Sequence, residues 1–243
     1  MKSKLKLTIS ILVLVCCGSL NVFATPSTQI WIPSTDIQSY KVWHLGIDNY
    51  FYDYKNGASQ SLTAFPTDIG MTVGVLPLTA LQVEVGVDLI VPQRSPFSFN
   101  AKIGIPEGTL ADWSPAIAVG GFDFGLQKNV TDYNVLYGVI AKTLPFVGRL
   151  SVGYYLGNSV LLVDQNGSTD NTGVLLSLDR QVTEVSENLW VSVDYQGGKS
   201  GFGALNVGFA WLFSKNVSVI FARDIFNNNA LPNAFTTQMD INI

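Results

Sequence analysis

The sequence predicts an all-β protein: a single antiparallel, transmembrane, up-and-down β-barrel of about twelve strands. Three observations predict it. Apolar residues recur at every second position in segment after segment, the period of a strand with one oily and one polar face. The 243-residue chain is 47% hydrophobic and only 13% charged, where soluble domains carry about 25% charge. After Thr25, however, no apolar run reaches the roughly 20 residues of a membrane helix. The chain also closes on a strand. Phe235, Met239, Ile241 and Ile243 alternate with Thr236, Gln238, Asp240 and Asn242. An oily face repeated on so many strands is most economically turned to lipid. The competing fold is a soluble β-sandwich with a large core, whose outer faces would carry more Lys and Glu.

The amino terminus reads as an address. Lys2, Lys4 and Lys6 precede an apolar run over residues 7–17, and Val22-Phe23-Ala24 offers a cleavage site, so residues 1–24 are expected to be a secretory signal peptide. Lipidation is the rival, since Cys16 and Cys17 lie here, but Val15 stands where a small residue is expected before a lipidated Cys. Both cysteines leave with the leader, so the mature chain has no disulfide and no thiolate metal site. The leader also takes three lysines and no acids, moving the net charge from −4 to −7. That balance opposes nucleic-acid binding.

Residues 25–38 come next. Pro26-Ser-Thr-Gln-Ile and Pro33-Ser-Thr-Asp-Ile repeat at a spacing of seven, and two prolines forbid a central strand. An extended periplasmic linker is the expectation; a lumen plug is the alternative. Residues 39–243 form the barrel without an internal domain boundary.

The clearest strand is 80–90, where Leu81, Val83, Val85, Val87 and Leu89 oppose Gln82, Glu84, Gly86 and Asp88. Before it, Ile69, Met71, Val73 and Val75 oppose Asp68, Gly70, Thr72 and Gly74. After it, Phe97, Phe99, Ala101, Ile103 and Ile105 oppose Ser98, Asn100, Lys102 and Gly104. Leu150, Val152, Tyr154 and Leu156 oppose Arg149, Ser151, Gly153 and Tyr155. Leu189, Val191, Val193 and Tyr195 oppose Trp190, Ser192, Asp194 and Gln196. Residues 40–51, 116–124, 133–143, 173–182, 202–212 and 217–226 alternate less cleanly, and the terminal strand completes an even count. Both chain ends then share one rim, with short connections on that side and longer Asn-, Asp- and Gly-rich ones on the other.

Rim aromatics and charges agree with this arrangement. Every tyrosine but Tyr40 falls near the outer rim, and Trp43, Trp113, Trp190 and Trp211 near the inner one, as interfacial girdles would have them. The basic residues assigned to the lipid phase, Lys41, Arg180 and Arg223, sit at strand ends, where a charge costs ~0–1 kcal/mol rather than the ~2–4 of mid-membrane. Taken together, the leader, the dyad repeats, the rim aromatics and the carboxy-terminal strand resemble the bacterial outer-membrane β-barrel proteins. The resemblance implies outer-membrane localisation, contact with lipid and lipopolysaccharide, and recognition by the barrel-assembly machinery through residues 235–243. The chain ends in Ile243 where such proteins often end in Phe or Trp. It leaves the oligomeric state open.

The inward phase suggests the function. Asp48, Asp68, Asp88, Asp123, Asp194 and Asp224 fall near the outer strand ends, and Lys102, Lys142 and Arg149 lie deeper; Glu84 and Asp240 share the inward phase. Rings of like charge select ions by sign, so the expectation is a narrow passive channel for small hydrophilic solutes or ions with an acidic outer mouth. Inward glycines (Gly70, Gly74, Gly86, Gly104, Gly153) fit an open lumen or strand curvature. The alternative is a closed-lumen structural or surface-interaction barrel, in which the same acids pair with the bases. A membrane-embedded lipid hydrolase is a weaker alternative: His44 is the only histidine, and no serine has a motif around it. The chain is therefore expected not to be an enzyme. Asp164-x-Asn166-x-Ser168-x-Asp170 spaces oxygen ligands as a calcium loop would, but Thr169 replaces the required Gly, and a hydrated hairpin is expected. No cofactor or metal is expected.

Overall fold

The computed structural model describes residues 27–53 and 67–243; the leader, the proposed cleavage site and most of the first outer connection lie outside the described residues. Twelve strands follow one another. They are β1 (Trp43–Tyr52), β2 (Thr67–Gly74), β3 (Gln82–Val91), β4 (Phe97–Ile105), β5 (Ala116–Phe122) and β6 (Val135–Leu144). Then come β7 (Gly148–Leu156), β8 (Thr172–Gln181), β9 (Leu189–Gln196), β10 (Ala204–Ser214), β11 (Val217–Phe226) and β12 (Ala234–Asn242). Each pairs antiparallel with its sequence neighbours, and β12 pairs with β1 to close an up-and-down barrel. Both ends of the barrel-forming chain therefore lie at one rim, called the inner rim. Its tightest connections are two residues between β10 and β11 and three between β6 and β7. In the latter, Phe146 and Gly148 take positive φ values of 65° and 117°, which lets so short a link reverse the chain.

The exterior is apolar. Val119, Ile140, Val152 and Leu176 stand exposed along its middle, and Phe209 stacks on Phe221 across β10 and β11 at 5.5 Å. Outward basic residues lie at the rims with partners. Arg180 meets Glu184, and Arg223 meets Asp53 at 2.6 Å while lying over the Phe235 ring. So extensive an apolar surface needs an apolar surrounding, and closure leaves no strand edge unpaired within it.

Residues 27–38 overturn the linker expectation. They run inside the barrel as a small hairpin. Thr28 bridges Pro33, Gln29 N donates to Ile32 O at 2.7 Å, and Ser34 N donates to Ser27 O at 3.1 Å. The prolines that bar a ladder strand are compatible with this fold, since a lumen hairpin needs few sheet bonds. Its Ile30 and Ile32 are almost fully buried, against two apolar patches on the inner wall. One patch, from β5 to β8, includes Ala118, Val135, Val139 and Leu175; the other, on β10 and β11, includes Ala210 and Ile220. The lumen is thus oily on one side and polar on the other. The chain then crosses the inner rim through residues 39–42 and enters β1. There Lys41 N donates to Gly74 O at 2.8 Å. A Cβ on Gly74 would sit 2.1 Å from Ser39 O. Gly74 therefore makes room for the crossing segment, not for an open pore.

The aromatic girdles also need correction. Trp43, Trp113 and Trp211 are exposed at the inner rim, but Trp190 points inward and donates Nε1 to Asp179 at 3.0 Å. Among the tyrosines, Tyr137 and Tyr155 are buried in the lumen. The inward phase of their strands governs these rings, not the interface.

Val152→Lys should destabilise the folded barrel by ~2–4 kcal/mol, read from denaturant unfolding in lipid vesicles. A loss below about 0.5 kcal/mol would show that this face does not meet hydrocarbon.

Candidate functional site

The lumen divides into an inner half, where charges are paired, and an outer half, where they are not. In the inner half, Lys102 on β4 meets Glu84 on β3 at 3.0 Å and donates to the carbonyls of Ser27 (2.9 Å) and Asp36. Glu84 in turn accepts from Gln38 N at 2.7 Å. Arg149 on β7 reaches both oxygens of Asp36 at 2.7 Å and Asp179 at 3.1 Å. Asp179 also accepts from Gln29 Nε2 at 3.1 Å. Buried charges must find partners, and the hairpin supplies them: Glu84, Lys102 and Arg149 are its fasteners. Asp240 lies near the inner rim, 3.3 Å from His44 Nε2 and 3.2 Å from Ser218 Oγ. His44 Nδ1 faces Asn242 Oδ1 at 2.8 Å. A serine hydrolase needs its serine on the imidazole; here Ser218 contacts the acid instead.

The hairpin tip is held higher. Asp194 on β9 accepts Ile30 N at 2.8 Å and Trp31 N at 2.9 Å through one oxygen, and Asn206 Nδ2 at 2.6 Å through the other. Gln238 on β12 donates to Ile30 O at 2.7 Å. Asp194, expected as a vestibule acid, is therefore a clamp. Asp224 faces the lumen from β11 and is fully buried; neither carboxylate oxygen has a hydrogen-bond partner among the described residues.

Between the hairpin and the β1–β5 wall lies a cavity of about 540 Å³. It extends from Tyr52 and Gln93 at the outer rim down to His44 and Asp240. Asp48, Asp68, Asp88 and Asp123 project into it. Asp48 stands directly opposite Asp68 in the β1–β2 ladder, and Asp88 opposite Gly70 in the next. Lys102 is the only lysine or arginine lining the cavity among the described residues, and it is committed to Glu84. With Asp240 beside His44, four carboxylates are left without a basic partner. Aromatic rings line the cavity as well. Trp31 contacts Tyr50 and Phe226 edge-on at 5.4 and 5.8 Å, while Phe202 stacks near Phe122 and Tyr133 at 6.1 and 5.1 Å.

Lys142 does not belong to the lumen. On β6 the inward residues are Val135, Tyr137, Val139 and Ala141, so Lys142 lies on the outer phase. It sits at the inner rim, 2.8 Å from Glu107. Both faces of β6 are apolar, so alternation could not orient it. Sequence reasoning missed Gln29, Trp31, Asp36 and Asp179. Asp36 stands in the Pro33 repeat, but nothing in the sequence joins it to Arg149. The loop from Asp164 to Asp170 is an Asx turn. Ser168 N and Asn166 N donate to Asp164 Oδ1, and these bonds hold its carboxyl below the usual range.

In backbone shape the chain resembles the KdgM porin, with a TM-score of 0.55 over 82% of this chain and 98% of that one, at 6% identity. The likeness is one of barrel fold. The same porin in complex with disordered oligogalacturonate aligns over the same shares at 6% identity, TM-score 0.53. An outer membrane channel from Pseudomonas putida F1 is 10% identical over 86% of this chain and 97% of its own, TM-score 0.48. No family model matches the sequence, and no curated protein matches it.

Asp194→Ala leaves the Ile30 and Trp31 amides unpaired, a loss of ~1–3 kcal/mol. Hydrogen exchange at these amides should rise roughly 5- to 150-fold; unchanged exchange would show that the clamp does not hold the tip. A second expectation concerns Glu107 in the β4–β5 turn. Partial burial raises its pKa, but bonds from Lys142 and Thr143 outweigh that and hold it below the ordinary 4.5. A depressed carboxyl stabilises above its unfolded value and loses that stabilisation as pH falls through the folded one. Corrected for intrinsic rate, Thr143 amide protection should therefore drop under acid, and Glu107→Gln should abolish the dependence. A pH-independent amide would refute the contact.

Proposed function

We propose that the chain is an outer-membrane barrel acting as a narrow passive channel for small hydrophilic solutes or ions, with an acidic outer mouth. The observation that carries this reading is the separation of lumen charge. Bases of the inner half are committed to the hairpin and its acids, while Asp48, Asp68, Asp88 and Asp123 line the outer cavity without basic partners. A mouth of one sign in low-dielectric walls concentrates counter-ions. Cations are favoured, and a polyanion such as the oligogalacturonate held by the structural neighbour is not. In this reading residues 1–24 are removed after export, residues 235–243 engage the barrel-assembly machinery, and the apolar belt meets lipid and lipopolysaccharide.

The hairpin narrows the path. Its fastening to Lys102, Arg149, Asp194 and Gln238 also favours a second reading, a closed barrel serving structure or surface interaction. Planar-bilayer recording across a KCl gradient separates them. The channel reading expects a small conductance with cation preference, and a larger conductance on deletion of residues 26–37. Anion preference would overturn the acidic mouth. Silence from both the full chain and the deletion would overturn the channel and leave the closed barrel.

A further inference from the structure

We infer that the outer cavity is a binding site for a small organic cation: an ammonium group on an apolar or aromatic body. This rests on the acidic-mouth reading and names its ligand class. The cavity, at about 540 Å³, falls within the 300–1,000 Å³ of small-molecule sites, more than a hydrated metal ion requires. Its lining combines carboxylates with aromatic rings. From β1 to the residue after β5 come the four acids without basic partners, with Tyr50 and Phe122 beside them; from the hairpin tip, β11 and the outer connections come the further rings Trp31, Phe226, Tyr133 and Phe202. Carboxylates attract an ammonium, and ring faces hold its alkyl shell through cation–π contact. An inorganic cation would use the acids and leave the aromatic rings idle; an apolar neutral solute would do the reverse.

The acids are also arranged at a cost to the barrel. Like charges directly opposite on neighbouring strands destabilise a sheet, yet Asp48 faces Asp68. Gly70 leaves space for Asp88, whose Oδ1 lies 2.7 Å from where a Gly70 Cβ would stand. Two carboxylates of this half have buried oxygens with no hydrogen-bond partner among the described residues. One is that of Asp68, a cavity-lining residue, at Oδ1. The other is that of Asp224, at both oxygens, fully buried and two residues from cavity-lining Phe226 on the same face of β11. A cation bound in the cavity supplies the missing positive charge to Asp68 and the other cavity-lining acids. The mature chain's own inner-half bases cannot, because the hairpin holds them.

The test uses full-length protein in detergent micelles and three phenyl-bearing probes that differ in charge: benzyltrimethylammonium, benzyl alcohol and benzoate. Isothermal titration should show saturable binding of benzyltrimethylammonium, weakened by added salt, and no saturation by the other two. Asp68→Asn with Asp88→Asn should weaken binding at least about tenfold, and Phe202→Leu about 2- to 30-fold. Heat-modifiable gel migration confirms that each variant is folded; should the first pair fail to fold, Asp48→Asn with Asp123→Asn replaces it. Equal binding of benzoate or benzyl alcohol, no saturation by the ammonium, or full affinity in the folded carboxamide variants would overturn the inference. Because titration needs no current, binding without conductance would sink the channel and keep the site. Cation-selective conductance without binding would do the opposite.

Discussion

Everything in this molecule depends on closing the ladder between β1 and β12. From His44 opposite Asn242 to Tyr52 opposite Ala234, the first and last strands satisfy each other's backbone groups. In hydrocarbon an unpaired N–H or C=O costs several kcal/mol, so an open edge is not available. Closure imposes the rest. The count must be even for both ends to meet at one rim, and side chains must alternate between lipid and lumen. The polar residues excluded from the exterior are then concentrated in a confined interior, where their charges need partners.

The hairpin of residues 27–38 answers that need for half of the lumen. It brings one carboxylate, Asp36, to Arg149, and carbonyl oxygens to Lys102. In return it receives Asp194 on two of its amides. It also brings Ile30 and Ile32 to apolar patches on the wall. Those patches explain why some strands alternate poorly. On β6, inward Val135 and Val139 match outward Leu136 and Ile140 in polarity, because the inward pair packs against Ile32 rather than water. Strands β3 and β4, whose inward residues face the cavity, keep a clean alternation.

Legibility in the sequence follows the same division. Strand positions, closure and the lumen phase of Asp68, Glu84, Asp88 and Lys102 were readable, because a period of two is local information. The misassigned residues are those whose phase has no local marker or whose environment is set by a partner far along the chain. Lys142 sat on a strand with two oily faces, so its phase had no marker. Asp194 looked like a mouth acid, but its partners Ile30 and Trp31 lie more than 160 residues away. Gly74 looked like empty lumen, and only the crossing of residues 38–39 shows what fills it. The hairpin itself carried a contrary local signal, since its prolines count against a strand and say nothing about docking.

The outer half then poses a contrast that packing alone does not explain. Where the hairpin touches the wall, charged groups find partners; where it stops, four acids line a cavity without a basic partner. A barrel selected for rigidity alone would place Asn or Ser opposite Asp48, as Thr67 stands beside Asn49 on the outward face. Retaining Asp68 there sacrifices stability at a single ladder position. Natural proteins break such local rules chiefly at functional sites. The aromatic rings sharpen the point, because rings set among uncompensated carboxylates lower the local dielectric and strengthen the field that an entering cation feels.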